Sequence, residues 1–445
     1  MSLFSTLHVG ASGLGAASIG LGVAGDNIAN IGTTGFKQTR ASFADFLPQD
    51  TFGLARSGQM GTGVATNNIS TLFGQGSIDV SDSSLDMAIS GDGFFVVRNG
   101  AQDFYTRNGE FYVDESGYVT TGAGLRLQGY QATDGLVSTL TSDIQVSTAT
   151  LPGQATSEVV FDAVLSAEEP TSATLSAIDF FGTGAGLNTI EEGADAAAFT
   201  TSMTIYDSLG VGHDVTVMFE RDTANQWTWR AVADASEVYD TATGTAYTAT
   251  EGFGFEVATG TVTFDVNGDL TGVTQTDTTG WNFFGAGAQN PVFDFGIDPA
   301  TGNALDGLLT MSGAESSVSA VSQDGMTTGE LSTINVEDDG TITGTYTNGE
   351  ELTLGQVLLA TFQADNGLKR VGGTLFAETA YSGQPALGIA GTGGRGTVSG
   401  SSLERSNVEL EDQFVNMITS QRMYQASAKV VSSADESLQV LVNLI

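Results

Sequence analysis

The side chains able to do chemistry are few in kind. The 445 residues contain no cysteine, which excludes disulfides, thiolate metal sites and thiol catalysis, and the only imidazoles are His8 and His213. One falls in a run of helical periodicity and the other in a strand-like run, so a histidine-based metal site within one chain is not expected. Asp265, Asn267 and Asp269 have the opening spacing of a calcium loop, yet no suitably placed bidentate Glu follows, and a hairpin turn already accounts for Asn267-Gly268. Gly391-Thr392-Gly393-Gly394-Arg395-Gly396 has the glycines of a phosphate cradle without the Lys and Ser/Thr that should follow, and it reads as a linker. Carboxylates number 52 against 14 Lys and Arg, so an acid–base pair could be drawn almost anywhere and is specified nowhere. No catalytic residue, metal or cofactor is expected, and the chain does not read as an enzyme.

The formal charge of -38 argues against nucleic acid or an anionic membrane surface as a partner. It is unevenly spread. Residues 1–50 carry 2 basic and 3 acidic groups and residues 401–445 carry 3 and 6, which leaves 9 and 43 in between. Acid on the middle of the chain favours solubility and keeps neighbouring copies from sticking indiscriminately.

The termini have a different texture. Leu7, Leu14, Leu21 and Ile28 recur every seven residues, with Leu3, Ala17, Ala24 and Ile31 as a companion stripe. At the other end Leu403, Leu410, Met417, Tyr424, Val431, Leu438 and Ile445 repeat likewise, beside a mixed second stripe of Phe414, Gln421, Ala428, Asp435 and Val442. Six glycines in the first seam, Gly10, Gly13, Gly15, Gly20, Gly22 and Gly25, each cost about 0.8 to 1 kcal/mol relative to Ala in a helix, so the segment is expected to be helical only when packed. Two packings fit: a multi-helix assembly of many copies, or one intramolecular hairpin capping a monomer. Residues 1–25 carry no charged side chain, but the missing basic flank argues against a cleaved signal peptide and the glycines against a membrane span.

Between the seams the chain reads as strand and turn. Asp92-Gly93, Asn99-Gly100, Asn108-Gly109, Asn267-Gly268, Asp324-Gly325, Asp339-Gly340 and Asn348-Gly349 are hairpin signals. Val215, Val217 and Phe219, Trp227, Trp229 and Ala231, and Val262, Phe264 and Val266 alternate as half-buried antiparallel strands do. The expected fold class is α+β and multidomain, with discontinuous N- and C-terminal helical coiled-coil arms enclosing mainly antiparallel β domains. Composition places the arms at 1–31 with 401–445, connecting segments at 32–70 and 391–400, an inner β domain at 71–145 with 311–390, and an inserted outer β domain at 146–310.

The terminal residues also carry a resemblance. Asn27-Ile28-Ala29-Asn30, followed by Thr34-Gly35-Phe36-Lys37, is similar to the N-terminal signature of flagellar rod, hook and hook-associated proteins. Ser90-Gly91-Asp92-Gly93-Phe94-Phe95 and Tyr105-Thr106-Arg107-Asn108-Gly109-Glu110-Phe111 resemble the next block of the hook and rod members, and Ser406-Asn407-Val408-Glu409-Leu410 with Gln421-Arg422-Met423-Tyr424 their C-terminal signature. Tyr206-Asp207-Ser208-Leu209-Gly210 and Leu354-Gly355-Gln356-Val357 point to hook proteins in particular. The resemblance implies a structural subunit, exported through the flagellar type III apparatus without a cleaved signal and polymerised outside the cell into a curved tube. Its implied partners are copies of itself and the rod, hook-cap and hook–filament junction proteins, with no nucleic acid and no membrane insertion. Gly32, Gly35, Gly393 and Gly396 are the expected flexible joints, and Leu3, Leu7, Leu14, Leu21, Ile28, Leu410, Phe414, Met417, Tyr424, Val431, Leu438 and Ile445 the expected self-assembly residues. The alternatives are a distal rod protein of the same family and a secreted acidic β protein that binds or hydrolyses carbohydrate.

Overall fold

The computed structural model describes residues 3–47, 49–51, 58–133, 135–146, 150–181, 188–241, 245–247, 250–279, 281–296 and 307–442. The chain divides into two compact units, the first made of Met1–Thr148, Ser332–Thr345 and Glu351–Ile445, the second of Ala149–Leu331 and Tyr346–Glu350.

In the first unit the helices Leu3–Ala29 and Leu410–Val442 pack against each other. The C-terminal helix starts nine residues later than expected from Ser401. Ser402–Glu404, with Leu403 in it, is instead a strand paired antiparallel with Ile78–Val80, and Thr397–Gly400 pairs with Met87–Ser90. The returning chain is thereby stitched to the outgoing one just below the helices.

The unit's large sheet is organised on the long strand Glu351–Thr361, which pairs antiparallel with Thr341–Tyr346, Arg126–Thr133, Ala386–Ile389 and Phe94–Asn99. Phe94, Val96, Tyr105, Leu358, Ala360, Leu368 and Phe376 form a core beneath it. Gly109 lies so close to Met87 that an added Cβ would fall 1.6 Å from its carbonyl oxygen, a packing requirement beyond the turn its sequence suggested. A separate pair, Thr39–Asp45 with Val64–Thr71, continues from the N-terminal helix.

The second unit is built on a five-stranded antiparallel sheet, in order Phe199–Tyr206, Gly212–Thr223, Gln226–Asp234, Gly254–Phe264 and Leu270–Asp277. Val215, Val217, Phe219, Trp227, Trp229, Ala231 and Val262 are all fully buried, as their alternation predicts. Val266 breaks the pattern: it sits in the turn, where Asp265 accepts from the N–H groups of Asn267 at 2.7 Å and Asp269 at 3.0 Å, and it is exposed. The Asp265 carboxylate, which would open the suspected calcium loop, is engaged in that turn.

Glu158–Ser166 centres a smaller sheet, parallel to Val292–Asp294 and Leu309–Met311 and antiparallel to Ser317–Gln323. These pairings carry residues 311–331 into the second unit, past the boundary expected near residue 310. Within the same unit, the buried Glu220 accepts from the N–H groups of Leu175 at 3.0 Å and Ser176 at 3.1 Å, while Arg230 donates to the carbonyls of Leu175 and Ile178. The short helix Leu175–Ala177 is thus held at both ends by side chains of the sheet.

Candidate assembly site

The two terminal helices meet through their smallest residues. Along the N-terminal helix the contact face is Gly10, Gly13, Ala17, Gly20, Ala24 and Asn27, spaced alternately three and four apart, with Ala17, Ala24 and Asn27 buried. A Cβ at Gly10 would stand 2.8 Å from Val431 Cγ2, one at Gly13 2.7 Å from Ser427 Oγ, and one at Gly20 2.7 Å from Ser420 Oγ. Partners descending from 431 to 420 as the glycines ascend make the pair antiparallel, within one chain. Gly15, Gly22 and Gly25 face open space, so only half of the six glycines serve close approach. By length and composition Ser5–Ala29 could also cross a membrane, contrary to the expectation from its glycines, but here its small-residue face is occupied by the C-terminal helix.

On the C-terminal helix the packed stripe is Gln413, Ser420, Ser427 and Ala434, one residue before the expected 414, 421, 428 and 435. Of the expected assembly residues, Leu7, Leu14, Leu21, Ile28, Met417, Val431 and Leu438 are half-buried, flanking the contact. Leu410, Phe414 and Tyr424 are exposed, as are Val415, Ile418, Met423, Val430 and Val440. The side chain of Leu3, and Ile445 altogether, lie outside the described residues.

Below the helix pair the chain's two ends are joined by buried polar side chains, several of them from the motif residues. Asn27 donates from Nδ2 to the Thr39 carbonyl at 2.8 Å and to Gln413 Oε1 at 3.0 Å, and its Oδ1 accepts from Thr39 N at 2.9 Å. Asn407 mirrors it from the other end, accepting from Gln38 N at 2.7 Å and donating to the carbonyls of Leu72 and Gly74. Each asparagine satisfies backbone that no helix or ladder reaches, and so closes a helix end onto the strands beneath.

Glu404 is the hub. Lys37 Nζ donates to its Oε1 at 2.6 Å, Gly76 N donates to the same oxygen at 2.8 Å, and the Arg107 guanidinium lies 3.5 Å from Oε2, all three side chains being almost fully buried. Burial lowers the pKa of Lys37, opposed by the attraction of Glu404, and burial likewise lowers that of Arg107. Gly35 donates its N–H to the Glu404 carbonyl at 2.8 Å with φ +68°, and a Cβ there would lie 2.5 Å from the Arg107 carbonyl carbon.

The remaining motif residues take lesser places. Asn30 bonds back to Asp26, Thr34 donates to Glu110 at 2.8 Å, and Ser406 Oγ accepts from Val408 N. Phe36 is buried under the Arg370 guanidinium, which pairs with Asp26 at 3.5 Å. Ala29, Gln421 and Arg422 are exposed.

Two of the expected joints are tightly packed: Gly35 is fixed as described, and a Cβ on Gly396 would meet the Ser90 carbonyl oxygen at 2.3 Å, so close contact alone demands glycine at both. Gly393 occupies a left-handed turn against Arg395, and Gly32 alone of the four has open space around it and an ordinary backbone. Sequence reading missed Glu404 and Gln413. A lysine inside a motif signals that a carboxylate partner is needed, but nothing local picks one among 52.

Comparison with known proteins bears on the same segments. Residues 7–37 match the family described as flagella basal body rod protein, 88–162 the flagellar hook protein FlgE/F/G D1 domain, 181–326 the flagellar basal body protein FlaE D2 domain, and 399–444 the flagellar basal body rod FlgEFG protein C-terminal family. The chain is 34% identical over 442 residues to the flagellar hook protein FlgE of Escherichia coli, covering 97% of this chain and 98% of that one. It is 34% identical over 445 residues to that of Salmonella typhimurium, again 97% and 98%, and 30% identical over 478 residues to that of Treponema pallidum, 99% and 100%. A crystal structure of Helicobacter pylori flagellar hook protein FlgE2 aligns at TM-score 0.49 and 15% identity, over 73% of this chain and all of that one. The chain therefore belongs to the flagellar hook protein family, whose members are structural subunits of the flagellum.

Proposed function

We propose that copies of this chain polymerise head to tail into the curved tubular hook, with the paired terminal helices as a coiled-coil core and the β units outside, and that the tube transmits motor torque to the filament while bending. A non-closing rotation between identical subunits generates an open helix. The observation that carries this reading is the exposed apolar row of the C-terminal helix, Leu410, Phe414, Val415 and Ile418, on a helix whose other face is already packed. Such a row is a liability on a solitary acidic protein and an asset between copies. Bending then falls to Gly32, the open one of the four expected joints.

Export through the type III apparatus without a cleaved signal, location outside the cell, and contacts with the rod, hook cap and hook–filament junction complete the reading, on the strength of the family alone. Replacing Val415 and Ile418 together by Glu tests the core contact. The variant should melt as the parent does yet leave no pelletable polymer under conditions where the parent assembles; polymer of normal yield would refute the role given to this row.

A further inference from the structure

The second unit contains 27 Asp and Glu and only two cationic side chains, Arg221 and Arg230, beside His213. Both arginines are used internally. Arg230 is buried against Glu256 at 2.6 Å, and Arg221 donates to the carbonyls of Glu169 at 2.6 Å and Ala224 at 3.1 Å. No cation of this unit is left for a neighbour, so two such units brought together would meet as like charges.

On this anionic surface one apolar patch is rigidly built. The turn at Asp207 is fixed by its buried carboxylate, which accepts from the N–H groups of Leu209 at 2.8 Å and Val211 at 2.9 Å, and by Gly210 at φ +77°. It presents Leu209 and Val211 outward, more than half exposed. Phe284, still more exposed, stands on a second loop, tied to the turn by Gly287 N donating to Ser208 Oγ at 2.8 Å. His213 braces both: Nε2 faces Asp207 at 3.4 Å, Nδ1 faces Glu237 at 2.7 Å, the ring stacks on Phe283 at 3.7 Å, and the Glu237 carbonyl accepts the Phe284 N–H. So much fixed structure under exposed Leu and Phe is the form of a contact point.

The first unit carries a segment of matching chemistry. Strand Lys369–Gly372 ends its sheet, paired on one side only, and exposes Lys369 and Val371, the former with no carboxylate partner among the described residues. We infer that the Leu209–Phe284 patch of one copy docks on the Lys369–Gly372 edge strand of a second copy, apolar against Val371 and acidic Glu237 against Lys369. Each copy then carries both halves of the contact, which has the heterologous form that an open polymer requires. The inference rests on the polymer reading above.

Because the chain has no cysteine, an engineered pair reports cleanly. In polymer of the double variant Leu209→Cys with Val371→Cys, oxidation should give a ladder of covalent oligomers on a non-reducing gel, and neither single variant should. Polymer without a ladder, or dimers from Leu209→Cys alone, would overturn the docking while leaving the polymer reading intact; failure of the unaltered chain to polymerise would sink that reading instead. Independently of cysteines, Lys369→Glu should raise the protein concentration needed for assembly several-fold, whereas Lys369→Arg, which keeps the charge, should leave it unchanged. Assembly of Lys369→Glu at the parent's concentration counts against the surface.

Discussion

The paired termini and the second unit solve the same problem with opposite materials. The second unit buries Trp227, Trp229, Phe161, Phe219, Phe293 and Phe295 in one continuous core, each large apolar side chain contributing about 1.5 to 3 kcal/mol by leaving water. The helix pair buries alanine, glycine, serine and asparagine, and keeps Leu7, Leu14, Leu21 and Leu438 half-covered and Leu410, Phe414 and Ile418 exposed. An aromatic core is sufficient within one chain. A seam of small residues brings two backbones close while burying little, so it leans on the polar joint below. The difference teaches which part of the molecule owes its order to a large apolar core and which to close backbone approach and buried hydrogen bonds.

The polar joint is the place to break that contrast most forcefully. Glu404→Gln leaves Lys37 and Arg107 as two buried cations without their shared carboxylate, and breaking a buried ion pair in this way costs about 3 to 5 kcal/mol. Calorimetry of the full chain should show the transition of the first unit falling steeply while that of the second stays in place. A common shift of both transitions would mean that the two units do not stand on separate supports.

Polar residues also matter in the second unit, but locally. Burial alone would raise the pKa of Glu220; hydrogen bonds from the N–H groups of Leu175 and Ser176 and from nearby hydroxyls outweigh it and lower the pKa from the ordinary 4.5. A depressed carboxylate stabilises the fold above its unfolded pKa, and that contribution is lost as pH falls through the folded value. Glu220→Gln should therefore destabilise the second unit by about 2 kcal/mol at pH 7, the scale of a hydrogen bond to a charged group. The gap between parent and variant should close as pH falls below 4.5. A gap that does not narrow at all as pH falls below 4.5 would show that Glu220 acts through packing instead of charge.

What the sequence disclosed follows the same division. In the second unit, Val215, Val217, Phe219, Trp227 and Trp229 were legible because period-two alternation of large apolar residues is what a sheet buries. Its boundary was not, since Leu309–Met311 and Ser317–Gln323 belong there through pairing with Glu158–Ser166, more than 140 residues earlier, which leaves no local mark. At the termini the heptads reveal helices, but counting in sevens puts Phe414, Gln421, Ala428 and Asp435 on the second stripe, one residue past the packed Gln413, Ser420, Ser427 and Ala434. Small polar residues look like surface until it is seen that a glycine stripe faces them. The start of the C-terminal helix is masked for a related reason: Leu403 keeps heptad register, yet Ser402–Glu404 pairs as a strand with Ile78–Val80, and the acidic first turn of Glu411 and Asp412 is the better sign of where the helix begins. Asn27, Lys37 and Asn407 were reached through motif resemblance, which marked them without supplying the hydrogen bonds that account for them.

The smallest effect gives the finest test of the seam. Gly22 faces open space, so Gly22→Ala adds helix propensity at no steric cost and should stabilise the helix pair by about 0.8 to 1 kcal/mol. Gly10→Ala offers the same propensity, but its Cβ would press on Val431 Cγ2 at 2.8 Å and approach the Ser427 carbonyl oxygen at 3.5 Å, so the helices must part slightly and the gain is offset. Thermal melts followed by helical ellipticity should separate the two substitutions, with only the Gly22 variant rising. Equal gains would mean that close approach at Gly10 contributes nothing, and the seam would then owe its stability to the half-buried leucines after all.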